Sequence, residues 1–407
     1  MSSVRNYILV TVAYWAFTLT DGALRMLVLM HFHELGYTPV ELAFLFVLYE
    51  FFGVVTNLIG GCIASQMGLR VTLLAGLTLQ IVALAMLALV HPGWSRALSV
   101  AYVIGAQSLS GIAKDLTKMS AKSSIKVLVP ADQSSALFRW VAVLTGSKNA
   151  LKGVGFFLGG WLLTALGFAV SLYAMAGALL VVLVCSTLSL PSDLGKARSK
   201  SKFKGLLSKS REVNVLSAAR FFLFGARDIW FVVGVPVFLS VDLGWSFTQV
   251  GSFLALWTIG YGIVQSLAPG LIGRFTGGHA PQGRSAHVLA FVLAATMLLV
   301  TVALLRGLSP TAVLVAGLGA FGFVFAVNSS VHSYLILAYS DADKVAMNVG
   351  FYYMANAGGR LMGTLLSGVL FQAAGITGCL WGSVASAAAA GAISLLLPHT
   401  DDPPLMG

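Results

Sequence analysis

Twelve charged residues lie within stretches of the sequence that are otherwise apolar enough to sit in lipid. Eight are cations and four are anions: Asp21, Arg25, Glu50, Lys114, Asp115, Lys118, Lys148, Lys152, Arg220, Arg227, Asp228 and Arg360. An ionised group at the centre of a membrane helix costs about 2.5–3.5 kcal/mol, so we expect these side chains to face water or one another. The four cations in excess predict a bound polyanion, because arginine and lysine pair readily with carboxylate and phosphate-like oxygens.

The segment GIAKDLTKMSAKSSIK (111–126) contains four lysines at intervals of four residues. On a helix this spacing stacks like charges along one face, which is mildly destabilising. We expect Lys114 and Lys118 to form the cytoplasmic approach of an anion path. Lys122 and Lys126 are expected to lie in an inside loop and anchor it at the membrane surface.

The composition indicates that membrane-spanning helices carry these charges. Hydrophobic residues make up 58% of the 407 residues and charged residues 10%, and the mean hydropathy of +0.89 excludes an ordinary soluble domain. Twelve apolar runs have the length of about 20 residues that crosses a bilayer as a helix. They lie near 8–30, 40–63, 71–90, 98–117, 139–165, 168–190, 213–240, 247–272, 287–306, 311–338, 346–373 and 376–397. The divisions between adjacent runs at Gly167 and Gly375 rest on single glycines.

The remaining cations predict the orientation of these helices. If the N-terminus is cytoplasmic, fifteen lysines and arginines fall in inside loops and tails, against only Arg96 and Arg306 outside. Inside loops of membrane proteins are enriched in such cations, so we expect both termini in the cytoplasm. This asymmetry accounts for most of the net charge of +11, and we expect no binding to nucleic acid.

The depth of each membrane charge follows from its position in its helix. At about 1.5 Å per residue from the cytoplasmic end, Asp21, Lys152, Arg227 and Arg360 all lie at roughly 20 Å. Lys148 and Arg220 lie below them on the same helix faces, four and seven residues earlier. We therefore predict a substrate-binding site at this level. Its predicted members are Arg25, Lys118, Lys148, Lys152, Arg220, Arg227 and Arg360.

The four acidic residues have two possible roles, coupling of a proton or structural ion pairing. Asp21 has Arg25 four residues on, and Asp115 has Lys114 and Lys118 on the same helix, so both are candidates for pairing. Asp228 directly follows Arg227, and adjacent residues do not face each other on a helix, so we expect no pair between them, although either side chain could reach another helix. Glu50 is a candidate both for a coupling proton and for pairing with a cation.

The chain contains an internal repeat at an offset of about 208 residues. ELGYTPVELAFLF (34–46) resembles DLGWSFTQVGSFL (242–254), and KGVGFFLGG (152–160) aligns with RLMGTLLSG (360–368). This predicts two six-helix halves, 1–190 and 213–407, joined by a basic cytoplasmic linker, 191–212. The arrangement resembles the major facilitator superfamily, as does GGCIASQMGLR (60–70), although Ser65 stands where that family usually has aspartate. The resemblance implies an all-α membrane protein with twelve transmembrane helices in two pseudo-symmetric halves and a substrate site between them.

Four longer segments resemble a particular family of transporters. They are YWAFTLTDGALRMLVL (14–29), SGIAKDLTKMSAKSSIK (110–126), LTGSKNALKGVGFFLGG (144–160) and SAARFFLFGARDIWFVVGVPV (217–237). They are similar to the organoarsenical efflux permeases of bacterial arsenic-resistance operons. The resemblance implies a protein of the bacterial inner membrane that exports 1-arseno-3-phosphoglycerate and so confers arsenate resistance. Its functional partner would be the glyceraldehyde-3-phosphate dehydrogenase that makes this ester from arsenate.

The sequence contains few other residues in patterns typical of metal, redox or nucleotide sites. Cys62, Cys185 and Cys379 are isolated on distant helices, which predicts no metal site and no disulfide. His31 and His33 are expected at the membrane interface, and His332 is a candidate for the cavity. No phosphate-binding glycine pattern is present, so we expect secondary transport without a cofactor, and no enzyme activity.

Two alternative functions remain open at this point. A phosphate or organophosphate exchanger on the same fold would place similar cations on helices 1 and 7, here Arg25 and Arg227. A proton-coupled drug exporter would need an apolar, aromatic cavity with carboxylates, and the excess of cations argues against it.

Overall fold

Thirteen α-helices make up the part of the chain that the computed structural model describes, residues 2–91, 93–128, 134–191, 210–275, 281–339 and 345–398. They are α1 (Ser2–Glu34), α2 (Pro39–Phe44), α3 (Val47–Met67), α4 (Leu69–Ala88), α5 (Arg96–Leu128), α6 (Ser134–Leu166), α7 (Phe168–Ser189), α8 (Arg211–Phe231), α9 (Gly234–Val241), α10 (Phe247–Phe275), α11 (Gly283–Leu305), α12 (Pro310–Ala338) and α13 (Val345–Ser394).

These helices correspond to the twelve predicted membrane segments. The pairs α2–α3 and α8–α9 each form one segment with a break inside it, and α13 contains two segments joined at Ala374 and Gly375. By length and composition, ten stretches of the described residues are apolar enough to cross a membrane. The long α13 counts once among the ten, and α5, which carries the lysines of 111–126, is not among them. The all-helical membrane fold is therefore confirmed.

Single glycines divide the two pairs of segments that the sequence leaves almost continuous. Gly167 separates α6 from α7 with a φ of 75°, and Gly375 divides α13 with a φ of 61°. Positive φ costs glycine little because it has no Cβ atom, so the chain can reverse direction in one residue. The predicted divisions at both glycines are confirmed.

The internal repeat has a structural counterpart at the start of α2 and of α10. Thr38 caps α2 and exchanges hydrogen bonds with Glu41, at 2.8 and 3.3 Å. Ser246, 208 residues later, exchanges the same two bonds with Gln249, at 2.8 and 3.2 Å. Such a capping box satisfies backbone N–H groups that a helix start leaves open. The repeated sequence therefore specifies where these two helices begin.

The helices pack as two groups that meet in two zones. Helices α1–α7 pack among themselves, α8–α13 do likewise, and the groups meet where α6 contacts α10 and where α13 contacts α2 and α3. A Cβ atom on Gly160 of α6 would lie 2.5 Å from the carbonyl oxygen of Phe247, and one on Gly368 would meet that of Pro39. These contacts hold the groups together at the face opposite the N-terminus, here called the far face. The boundaries of the halves at 190 and 213 stay a prediction, since most of the linker lies outside the described residues.

Within each group, equivalent glycines allow two helices to touch along their backbones. A Cβ atom on Gly155 of α6 would lie 2.5 Å from the carbonyl oxygen of Leu19 on α1. Gly363 of α13 is the equivalent residue, 208 positions later. A Cβ atom there would lie 2.9 Å from the carbonyl oxygen of Gly225 on α8. These contacts hold α1 against α6 and α8 against α13, the four helices with the charges of the predicted site.

Replacing either of these glycines by alanine is expected to destabilise the protein. Gly155→Ala and Gly363→Ala force backbones apart, and such overpacking costs about 1–3 kcal/mol. Gly177→Ala and Gly319→Ala are the controls, because a Cβ atom there meets nothing within 4 Å. Thermal unfolding of the purified proteins in detergent should show lower midpoints for the first pair only. Equal midpoints for all four variants would contradict the close packing.

Candidate functional site

A cavity of about 220 Å³ lies between the two groups of helices. Eleven of the twelve membrane charges line it: Asp21, Arg25, Glu50, Lys114, Asp115, Lys118, Lys148, Lys152, Arg220, Arg227 and Arg360. The structure thus brings together all seven cations of the predicted site, from α1, α5, α6, α8 and α13. Asp228 is fully buried beside the cavity and does not line it. That these residues bind a substrate stays a prediction.

Glu50 is shared by two arginines from different groups of helices. Its Oε1 atom accepts hydrogen bonds of 2.6 Å from Arg25 on α1 and of 2.6 Å from Arg360 on α13. The Glu50 side chain is completely buried. The sequence left two roles open for Glu50, a coupling proton or an ion pair with a cation. The structure shows the ion pair.

Asp21 does not pair with Arg25, although their spacing on α1 made an ion pair between them the expectation. Its carboxylate accepts a 2.5 Å hydrogen bond from the Tyr49 hydroxyl and pairs with Lys152 on α6 at 3.3 Å. The Arg25 guanidinium lies over the rings of Phe46 and Tyr49, at 5.2 and 5.4 Å from their centroids. These rings hold it towards Glu50. The expected Asp21–Arg25 pair is therefore wrong because neighbouring helices offer both groups better partners.

Asp228 pairs with Arg227, although we expected that adjacent residues could not meet. The Arg227 Nε atom donates to Asp228 at 2.5 Å, since the side chain is long enough to reach the adjacent carboxylate. Asp228 also accepts a 3.2 Å hydrogen bond from Arg360. Arg360 therefore links the two buried carboxylates, Glu50 and Asp228.

The Lys118–Asp115 pair that the spacing allowed is present in α5. Asp115 is completely buried and also accepts a 2.7 Å hydrogen bond from Thr56 on α3. Lys114 lies over the Tyr49 ring, 3.9 Å from its centroid. Because α5 continues to Leu128, Lys122 and Lys126 lie in its last turns and not in a loop. The side chains of these two lysines lie outside the described residues.

Arg220 has uncharged hydrogen-bond partners. Its guanidinium donates to the backbone and hydroxyl oxygens of Ser329, at 3.1 and 3.0 Å, and to Asn356 at 3.3 Å. It also lies 4.0 Å from the centroid of the Phe224 ring. Neutral partners position a guanidinium without cancelling its charge, so Arg220 keeps its attraction for an anion.

The neutral side chains that hold these charges were not among the residues predicted from the sequence. Tyr49, Ser329 and Asn356 contact membrane charges and carry no charge themselves. Phe224 was detectable, because it lies four residues after Arg220 and three before Arg227, on the same face of α8. The others come from helices distant in the sequence, and spacing gives no sign of such contacts.

The remaining predicted residues lie away from the cavity. His31 stacks on Phe168 near the far face, with ring centroids 4.0 Å apart. His332 was a candidate for the cavity, but it is buried in α12 and does not line it. Cys185 is exposed and Cys379 is buried, and the side chain of Cys62 lies outside the described residues. Within the described ranges, no group of three or more histidine, cysteine or acidic side chains is placed to hold a metal ion.

One comparison with known proteins gives a match. The family model described as Major Facilitator Superfamily matches residues 8–235, which is more than half of the 407 residues. The matched segment begins in α1, covers all the helices up to α8, and ends in α9. No curated protein matches the chain.

Removal of the Lys118 charge is expected to destabilise the protein by leaving Asp115 buried without its cation. Breaking a buried ion pair in this way costs about 3–5 kcal/mol. Lys118→Met should therefore unfold well below the wild-type temperature in detergent, and the double variant Lys118→Met, Asp115→Asn should recover most of the loss. A double variant as unstable as the single one would show that Lys118 stabilises the protein by other contacts.

Proposed function

We propose that this chain, which belongs to the major facilitator superfamily, exports a small organic polyanion by alternating access. Members of the superfamily are multi-pass membrane proteins, and the chain is a secondary transporter. The polyanion that we propose is 1-arseno-3-phosphoglycerate, whose export would confer resistance to arsenate. The observation that carries the proposal is the charge of the cavity.

Eight cations line the cavity, together with three carboxylates. Asp228 behind the cavity adds a fourth negative charge, which leaves four positive charges in excess among these twelve residues. A low-dielectric interior penalises such an excess strongly unless an anion balances it. 1-Arseno-3-phosphoglycerate, with an acyl arsenate at one end and a phosphate ester at the other, provides several negative charges in one small molecule. It also provides the tetrahedral oxyanions that guanidinium groups bind in pairs of hydrogen bonds.

The identity of the substrate is supported by the four segments that resemble organoarsenical efflux permeases. The cavity supports the class of substrate, and the resemblance supports the individual compound. We further propose that the ester comes from a glyceraldehyde-3-phosphate dehydrogenase acting on arsenate. The distribution of loop cations supports an inner-membrane protein with both termini in the cytoplasm.

The membrane potential is sufficient to drive such export. Each net negative charge that leaves a cell with a negative interior gains about 2.3 kcal/mol per 100 mV. Glu50 and Asp21 are both engaged with cations, and the proposal assigns neither of them a transported proton.

A phosphate or organophosphate exchanger is the second candidate. Arg25 of α1 and Arg227 of α8 line the same cavity from the two groups of helices, as such an exchanger would require. The two functions differ in what must be present on the opposite side of the membrane. An exchanger needs phosphate there, and a polyanion exporter does not.

Everted membrane vesicles distinguish these possibilities. Arsenic should accumulate in them only when the dehydrogenase, glyceraldehyde-3-phosphate, its nicotinamide cofactor and arsenate are all supplied. Arg360→Gln should abolish accumulation. Arg306→Gln, the same change at an exposed position outside the cavity, should not.

Two results would contradict the proposal. Accumulation from arsenate alone would show that the ester is not the substrate. Accumulation that depends on phosphate preloaded into the vesicles would favour the exchanger.

A further inference from the structure

We infer that Glu50 occupies the place of one anionic group of the substrate, and that the substrate displaces it from Arg360. The inference rests on the proposed function for the nature of the substrate. It assigns to Glu50 the role of a positioning residue that links binding in the cavity to separation of the two groups of helices.

The first observation is the geometry of the Glu50 carboxylate. Both guanidinium groups, of Arg25 and Arg360, donate to its Oε1 atom, each at 2.6 Å. The Oε2 atom is buried and has no hydrogen-bond partner among the residues that the structure describes. A carboxylate can receive an arginine on both oxygens, so this one is incompletely used, and the arginines share a single acceptor atom.

The second observation is the position of Glu50 along α3. The membrane segment that α2 and α3 form starts at the far face, and Glu50 precedes Gly53 and Asn57, which line the cavity further from that face. On the other side of Glu50, α2 packs against α13 at Gly368. Glu50 therefore lies between the cavity and the closed contact of the far face.

The third observation is that the Glu50–Arg360 pair joins the two groups of helices. Glu50 belongs to α3 in the first group, and Arg360 belongs to α13 in the second. Arg360 has a second carboxylate, Asp228, within its own group. It can therefore release Glu50 and keep a partner.

These observations give the displacement a physical cause. A phosphate-like group has more acceptor oxygens and more negative charge than a carboxylate, so it competes with Glu50 for Arg360, while Glu50 keeps its pair with Arg25 inside the first group. When it takes this place, the pair that joins α3 to α13 is lost. Binding thus weakens the contact that keeps the far face closed, and the release that follows is on that side.

Distance measurement between spin labels across the far face tests the link directly. Cysteines replace the exposed residues Leu35 and Asp242, one on each group of helices, in a protein whose natural cysteines are changed to alanine. Without any ligand, Glu50→Gln should increase the ratio of long to short distances by about tenfold, the effect of 1.4 kcal/mol on an equilibrium. Glu50→Asp, whose shorter side chain cannot reach both arginines, should shift the ratio in the same direction.

Two control variants separate this effect from a general change of charge. Asp115→Asn makes the same charge change in the same cavity, but Asp115 pairs with Lys118 inside one group of helices. Glu34→Gln removes one negative charge at an exposed position. Both should keep the wild-type distances. Wild-type distances in the two Glu50 variants, or an equal shift in Asp115→Asn, would overturn the inference.

Addition of 3-phosphoglycerate, a stable anion with a carboxylate and a phosphate, tests the displacement. It should shift the distances of the wild-type protein in the same direction as Glu50→Gln does. It should also bind the Glu50→Gln variant about tenfold more tightly, since no carboxylate competes with it. Absence of binding to the wild-type protein would count against the proposed function, whereas binding with unchanged affinity in Glu50→Gln would overturn the displacement alone.

Discussion

The balance of charge inside the membrane is the constraint on which this structure depends. Eight cations line a cavity between two groups of helices, and the four carboxylates beside them are all engaged in ion pairs. Each carboxylate holds its cations in position and at the same time reduces the charge that a ligand meets. The excess that remains is the feature that favours a small polyanion as the transported molecule.

The helical framework explains how so many charges share one cavity. Backbone contacts at Gly155 and Gly363 hold α1 against α6 and α8 against α13 at equivalent places of the internal repeat. Contacts of Gly160 and Gly368 close the far face in the same pseudo-symmetric manner. On α6 and α13 the charges precede both of these glycines, on the side away from the far face. The Glu50–Arg360 pair connects the two groups at the end of the cavity nearest the closed face. The Glu50–Arg360 pair therefore contributes both to the charge balance of the cavity and to the contact between the two groups.

Much of this arrangement was predictable from the sequence, and the reason is geometric. Helix rise gives the depth of a residue, and helix periodicity gives its face, so the convergence of Lys152, Arg227 and Arg360 followed from counting. The ion-pair partner of each charge could not be found by such counting. Asp21 binds Lys152 and Tyr49 and not its helical neighbour Arg25, because the choice of partner depends on which helices pack together. The Arg227–Asp228 pair was wrongly excluded because a long side chain can reach a neighbour that the helix surface does not present.

The cavity is proposed to bind its ligand through attraction between its cations and the negative charge of the ligand. Calorimetric titration of the purified protein with 3-phosphoglycerate, glycerol 3-phosphate and glycerol tests it most directly, because the three share a carbon skeleton and differ in charged groups. We expect affinity to fall in that order, and added salt to weaken the binding of the two anions. Equal affinity for glycerol, or tight binding of the anions that salt does not affect, would contradict it.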